Sequence, residues 1–286
     1  NIKNIKTYRN FFSYLSGIFK SLKENRSKYL IVSISPFTFL ACILIKIFKK
    51  KPIIYLRSDG YEEYKVIFGF FGPIIYHLMF SILSKISSFI SCREYILRNK
   101  KGDIVAPSQL TFQWFENHKE TQAHNIKLLY VGRIKKEKGI YSLLEIIKNN
   151  KISFSLSIVG AEKNFSNLIV PDNVHVYEIE NNEQNLIKFY DDHNIFILPS
   201  YTEAHPMALL ESLSRLRPVI IFKEIEHVIG DKKGIFVTER NSDSLFQTIS
   251  HIKKNYKKIQ KEMKKNKLPT KEEFLKEFSL LIAKSN

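Results

Sequence analysis

Cysteine is scarce in this 286-residue chain. There are two, Cys42 and Cys92, with no CxxC pair and no metal-ligand spacing. That excludes a disulfide-stapled scaffold and a cysteine-built zinc site, and leaves two small apolar thiols of a reduced intracellular protein. Glycine and proline are also few, ten and nine, so the chain is neither collagenous nor low-complexity. Hydrophobic residues make up 44% of it, too many for a disordered tail. The length allows one large domain or two ordinary ones. Residue 1 is Asn rather than Met, so a processed chain, or a piece of a longer one, is expected. No signal peptide is read at the start.

Long uninterrupted apolar runs are missing as well. Residues 29–45 carry no charge, but Pro36 splits them into a β-branched run and a helical one. Residues 66–84 contain no Asp, Glu, Lys or Arg, yet Gly69, Gly72 and Pro73 interrupt them. About a dozen apolar residues remain in one run, against the ~20 a bilayer span needs. A buried or membrane-surface helix is the expectation.

Acidic residues are absent where basic ones gather. The net charge is +17. Residues 1–51 hold 11 basic residues and a single acid, Glu24, and residues 251–286 hold 11 and 4. Residues 52–250 hold 23 of each sign. The excess therefore sits at the two ends, unlike that of a uniformly basic nucleic-acid binder. Lysine outnumbers arginine 36 to 9, whereas bidentate phosphate reading favours arginine. No nucleic-acid partner is expected, and codon bias is a rival account of the lysines.

Apolar strands alternate with helices in two series. The first has helices at 8–23, 38–49 and about 74–86, and strands at 29–33, 52–56, 89–91 and 103–106. A loop Arg57-Ser58-Asp59-Gly60 follows its second strand. The polar segment 111–125 is the best boundary. The second series has strands at 127–131, 154–159, 174–177, 195–198, 218–221 and 234–237. Its helices fall at 139–148, 185–190, 207–215 and 242–255, and a last helix spans 271–283. This predicts α/β architecture with two tandem doubly wound domains, whose ligands bind at the carboxyl ends of the strands.

Three segments carry chemistry. A strand ends at Gly132-Arg133, and Lys138-Gly139 then opens a helix. Free amides and two cations there make an anion site, or else an ordinary loop with solvated lysines. A second strand ends at Leu198 and runs through Pro199-Ser200 to Glu203, Ala204, His205, Pro206, Met207, Ala208, Leu210 and Glu211. Pro206 suits a first helical position. Two carboxylates at such an edge can bind vicinal hydroxyls, or merely complement a helix dipole. A third strand ends at Val159-Gly160, by itself only a tight turn.

Taken in order, these segments resemble family 4 retaining glycosyltransferases (glycosyl transferases group 1), which have the GT-B architecture of two Rossmann-like domains. Lys233-Gly234-Ile235 and Arg217-Pro218-Val219 also fit that family's later strands. The resemblance implies domains at 1–110 and 122–260, a donor cleft between them, and a basic segment with a C-terminal helix (261–286) returning to the first domain. It implies that Arg133 and Lys138 hold the donor diphosphate and Glu211 the ribose. Glu203 would contact the transferred sugar, helped by amides at 205–207. The base would lie near Tyr177, Glu178 and Ile179, and Gly132 and Gly160 would let backbone approach the donor. The family's first-domain histidine is absent, and Asp59 is the stand-in, unless it is only a helix cap.

The implied activity is transfer of a sugar from a UDP- or GDP-linked donor to a hydroxyl acceptor, with retention, without cofactor or metal. Cell-surface polysaccharide or glycolipid assembly is the expected setting, with a saccharide or lipid-linked acceptor. The expected location is cytoplasmic, peripheral at the inner face of an anionic plasma membrane. A nucleotide-sugar-binding module of the same fold, without turnover, is the alternative. Three departures stand out. Ala204-His205 replaces a glycine and an aromatic. Leu216-Arg217 replaces the glycine before the Pro-Val strand. The usual opening strand and glycine-rich loop are not seen.

Overall fold

The two series of strands build two parallel sheets in the computed structural model, which describes residues 5–23, 27–148, 153–162 and 170–285. The chain divides into two units, residues 1–107 with 273–286, and residues 108–272.

The first unit contains α1 (Phe11–Leu22), β1 (Leu30–Val32), α2 (Pro36–Ile47), β2 (Ile53–Leu56), α3 (Gly60–Phe68), α4 (Gly72–Ile86), β3 (Ser88–Ser91) and β4 (Asp103–Ile104). Its sheet runs β1-β2-β3-β4, all parallel. Asn10 and Ser35 start α1 and α2 as capping boxes, each side chain accepting the amide three residues on. Alternation along the strands gives the sheet two faces. Phe89 meets Phe80 of α4 on one face, ring centroids 5.2 Å apart. Ile53, Tyr55 and Ile90 lie on the other, beneath Phe274, Phe278 and Leu281 of the C-terminal helix. The expected return of that helix to the first domain is thus present.

The loop at 57–60 is followed directly by a helix that the sequence pattern did not resolve. Asp59 caps this α3, accepting the Tyr61 amide at 3.0 Å. The chain then reverses at Gly69, whose φ is +60°. Tyr61 lies 4.8 Å from Tyr76, where 15 residues of straight helix would separate them by ~22 Å. Residues Gly60–Ile86 are long and apolar enough in composition to cross a membrane. As a hairpin whose longer arm, the 15-residue α4, reaches ~22 Å, they fall short of a ~30 Å hydrocarbon core.

The second unit contains β5 (Ile126–Val131), α5 (Ile140–Lys148), β6 (Phe154–Ala161), β7 (Val174–Glu178), α6 (Glu183–Asp192), β8 (Ile195–Leu198), α7 (Met207–Ser214), β9 (Val219–Phe222), β10 (Ile235–Thr238) and α8 (Ser242–Met263). Strand order is β10-β9-β8-β5-β6-β7, all parallel. The order reverses between β5 and β8. Loops there leave the sheet in opposite directions and open a crevice, the topological switch point of a doubly wound sheet. Helix α8 outruns its expected end at 255 because Tyr256, Ile259 and Met263 prolong its buried stripe. The last helix, α9, spans Lys271–Lys284.

The polar segment expected to link the domains is bound to the second unit. Glu183 accepts hydrogen bonds from Thr111 Oγ1 at 2.6 Å and Trp114 Nε1 at 2.7 Å. Arg215 and Arg217, each 1% exposed, share the Asp191 carboxylate. Their remaining donors reach the carbonyls of Trp114, Glu116, Asn117 and Lys119. Side-chain carboxylates and guanidinium groups, together with the buried Trp114 and Ala123, hold this strap down. The terminal charge also divides differently from the expectation. Residues 251–272, in the second unit, hold the whole +7 of that end, while residues 273–286 hold two basic and two acidic residues.

Candidate active site at the switch point

The crevice of the second unit is shaped first by glycine. Gly139 has φ +69°, and a Cβ placed on it would stand 1.8 Å from the Pro199 carbonyl oxygen. Only glycine lets the loop after β5 lie on the loop after β8. Gly160 has φ +136°, and its Cβ would stand 2.1 Å from the Gly132 oxygen. The ends of β5 and β6 therefore touch backbone to backbone. Gly132 donates its N–H to Val159 at 2.9 Å, and the buried Tyr130 donates to the Arg133 carbonyl at 2.9 Å. These bonds fix the Gly132-Arg133 turn.

The two loops are then joined by charge. Lys138 Nζ lies 2.5 Å from Glu203 Oε1, and both side chains are largely buried. Ser200 Oγ donates to the same carboxylate oxygen at 2.8 Å, and the Tyr201 amide donates to the Glu137 carbonyl at 3.0 Å. The Glu203 carbonyl accepts a bond from His227 Nε2 at 2.7 Å. Arg240 supports the loop from behind. It stacks on Tyr201, 4.0 Å from the ring centroid, donates to Glu224 at 2.6 Å and to the Ser200 carbonyl at 3.3 Å. Arg133 is exposed at the rim. Ala204, His205 and Pro206 carry the loop into α7. Pro206 caps that helix, one residue before the position expected of it. Met207 and Ala208 form its first turn, whereas Leu210 is 2% exposed and belongs to the core, so its side chain is not available to a ligand.

Glu211 stands at the second turn of α7. Its Oε2 accepts the hydroxyl of the wholly buried Tyr190 at 2.8 Å. Burial pushes the Glu211 carboxyl up to about 7; the Tyr190 bond opposes the shift and nearby Glu183 adds to it. At neutral pH the group is poised between its two forms, and a cation or hydroxyl donors arriving beside it would favour the charged one.

Tyr177 and Glu178 end β7 at the same carboxyl edge, two strands from β5. Tyr177 packs edge-on against Phe189 at 5.1 Å. The Ile179 amide donates to the Ala161 carbonyl at 3.0 Å, which sets these residues beside Gly160. The second unit thus gathers Gly132, Arg133, Lys138, Gly160, Glu203 and Glu211 on one edge of one sheet. Asp59 belongs to the first unit, where both its oxygens are engaged. One caps α3 and the other takes a 2.9 Å ion pair from Arg98. Sequence reading did not single out Tyr130, Tyr190, His227 or Arg240. Each acts across the fold on a residue far away in the chain or through a main-chain oxygen, and no local spacing encodes that.

Two parallel α/β units, the second with its polar crevice at the strand reversal, define a GT-B glycosyltransferase fold. Residues 113–268 match the model of glycosyl transferases group 1, and the chain belongs to that family. It is similar to the Staphylococcus aureus capsular polysaccharide biosynthesis glycosyltransferase CapM, 27% identical over 172 residues that make up 49% of this chain and 44% of CapM. A Bacillus subtilis (strain 168) protein, assigned by name to teichuronic acid biosynthesis as the glycosyltransferase TuaC, is 25% identical over 158 residues, 51% of this chain and 40% of that one. The chain thus spans under half the length of these relatives. Among solved structures, Anabaena HepE in complex with UDP-glucose superposes with a TM-score of 0.68 at 11% identity, covering 93% of this chain and 82% of that one.

Proposed function

We propose that the crevice binds a nucleotide-sugar donor, UDP- or GDP-linked, and that the protein transfers the sugar to a hydroxyl acceptor with retention of configuration, in the assembly of a cell-surface polysaccharide or glycolipid. The observation that carries this is the Lys138–Glu203 pair, held between two glycine-shaped loops at the strand reversal. Lys138 and Arg133 bring positive charge to where a diphosphate would lie. Glu203, anchored by Ser200 and Lys138, would accept hydroxyls of the sugar, and Glu211 those of the ribose.

When the sugar–phosphate bond breaks, the leaving diphosphate gains negative charge. Fixed cations stabilise that state more than the bound ground state, and this difference is what accelerates the reaction. The acceptor oxygen forms the new bond to the sugar carbon on the face that the phosphate leaves, and its proton passes to the departing phosphate oxygen. Charge balance is supplied by Arg133 and Lys138, so transfer is expected to survive chelation of divalent metals. HepE supports the choice of donor class, since its structure holds UDP-glucose, and the capsular role named for CapM supports the setting.

The test is transfer across a panel of nucleotide sugars with Glu203→Gln and Lys138→Ala. Both variants are expected to lose transfer, Lys138→Ala together with affinity for the free nucleoside diphosphate. Full rates in both would overturn the reading. Tight diphosphate binding by the parent with no turnover of any donor would reduce it to a binding module.

A further inference from the structure

Three helices of the first unit share one layer, and their outer surface is apolar. Helix α1 packs beside α2, and α2 beside α4. All three run the same way, each ending where a strand begins. Tyr29, just before β1, donates to Ser21 at the end of α1 at 2.8 Å. The ring of Phe19 meets Phe48 just past α2 at 5.5 Å. Ser88, just past α4, donates to Pro52 at 3.0 Å. The last turns of the three helices therefore lie together at one margin of the layer.

That margin is basic. The last turns carry Lys20, Lys46 and Lys85, the only charged residues within the three helices, and none of the helices contains Asp or Glu. Lys23 and Lys49 follow and are exposed. Over the rest of the layer large apolar side chains face solvent, among them Phe12 at 82%, Ile74 at 50% and Leu78 at 61% exposure. At the α3–α4 reversal, residues 65–71 are all exposed. Phe68, Phe70 and Phe71 stand at this tip, and Phe70 is 82% exposed. The acids of the hairpin, Glu62 and Glu63, are confined to the first turn of α3. Monomeric soluble proteins rarely expose so wide an apolar surface without a partner.

We propose that this face, the outer side of α1, α2 and α4 with the α3–α4 tip, seats on an anionic lipid bilayer. The apolar side chains and the aromatic tip would enter the acyl boundary and the lysine margin would meet anionic headgroups, as in interfacial helices. The hairpin is too short to span, so the attachment lies on the surface. A second copy of the chain fits less well, because pairing this face would bury the lysines with no carboxylate on the face to meet them. The first unit as a whole carries 20 basic against 8 acidic residues. This inference stands on the first unit alone and is independent of the proposed donor site.

The test uses the 286-residue chain with phosphatidylcholine vesicles, pure or containing roughly 30 mol % phosphatidylglycerol. Co-sedimentation is expected with the anionic vesicles and should weaken as salt is raised. Lys20→Glu/Lys46→Glu/Lys85→Glu should lower vesicle affinity on the order of 100-fold or more, at about fivefold per lysine lost. Phe70→Ser/Phe71→Ser/Leu78→Ser should abolish the binding with an unchanged thermal melt, since all three side chains are exposed. Phe71→Trp should be quenched by brominated lipid. Absence of sedimentation, parent-like binding by both variants, or a concentration-dependent dimer that the Phe70/Phe71/Leu78 variant dissolves would each overturn the proposal.

Discussion

Glu211→Gln should make the protein more stable and bind donor less well, and the stability gain should depend on pH in a calculable way. The Glu211 carboxyl sits at about 7 in the folded chain against an ordinary 4.5, chiefly because it is buried. Between those values the folded protein holds a proton that the unfolded chain has released. The contribution of this proton to stability therefore falls as pH rises through that window and is gone above about 7. At ~1.4 kcal/mol per pH unit, the loss is about 3 kcal/mol. Glutamine keeps the shape and can still accept the Tyr190 hydroxyl, but it has no charge to desolvate. In urea titrations followed by Trp114, the one tryptophan of the chain, the gap between variant and parent should be under ~1 kcal/mol near pH 5 and about 3 kcal/mol near pH 8. Loss of a charged acceptor should weaken nucleoside diphosphate binding by roughly 10- to 100-fold. A gap that does not change with pH would refute the argument, because it would mean that Glu211 is not held neutral by burial.

Other substitutions probe the scaffold. Gly139→Ala adds a Cβ that meets the Pro199 carbonyl at 1.8 Å, backbone against backbone; it should cost ~3 kcal/mol or more in urea unfolding and weaken diphosphate binding. Gly230→Ala is the control, with a similar φ of +58° but nothing closer than Lys232 Nζ at 3.8 Å, and should cost only ~1 kcal/mol. Asp191→Asn leaves two buried guanidinium groups without their carboxylate; a loss of ~3–5 kcal/mol and a red-shifted Trp114 emission are expected. Burial pushes the Cys42 thiol up to about 12 and Cys92 up to about 11, so neither should react with a disulfide reagent at neutral pH until the first unit unfolds.

The strands and most helices of both units were legible because a parallel sheet covered on both faces writes itself as short continuous apolar runs. Residues 195–198, buried at every position, are of that kind. The crevice was legible wherever neighbours in sequence are neighbours in space, as at Gly132-Arg133 or Lys138-Gly139. Helix α3 was not, because Glu62, Glu63 and Lys65 dilute its apolar period and its partner surface comes from Tyr76 in the next helix. The strap at 111–121 was read as a linker for the same reason. It is polar in sequence, and its anchors, Asp191, Arg215 and Arg217, lie some 70 to 100 residues onward. Buried charge is the part of a fold that hydrophobic periodicity does not record.

Those arginines also account for the departure at Leu216-Arg217. A glycine would take a left-handed turn there without strain. Leu216 takes it at φ +57°, at a cost of ~1 kcal/mol. The turn persists because its surroundings determine it. The Arg217 amide donates to Ser212 at 3.0 Å, and Ser212 Oγ returns a bond to the Arg217 carbonyl at 2.8 Å. Gln260 of α8 donates to the Leu216 carbonyl at 3.0 Å, and the Arg217 guanidinium is locked onto the carbonyls of Tyr190, Arg215 and Lys119. The Tyr190 so held is the residue whose hydroxyl meets Glu211. The Arg217 side chain, next to the residue that takes the glycine's turn, thereby helps fix the partner of the Glu211 carboxylate. Loosening the Arg217 cluster should therefore shift the titration of Glu211 as well as lower stability, and a variant that did only the latter would separate the two.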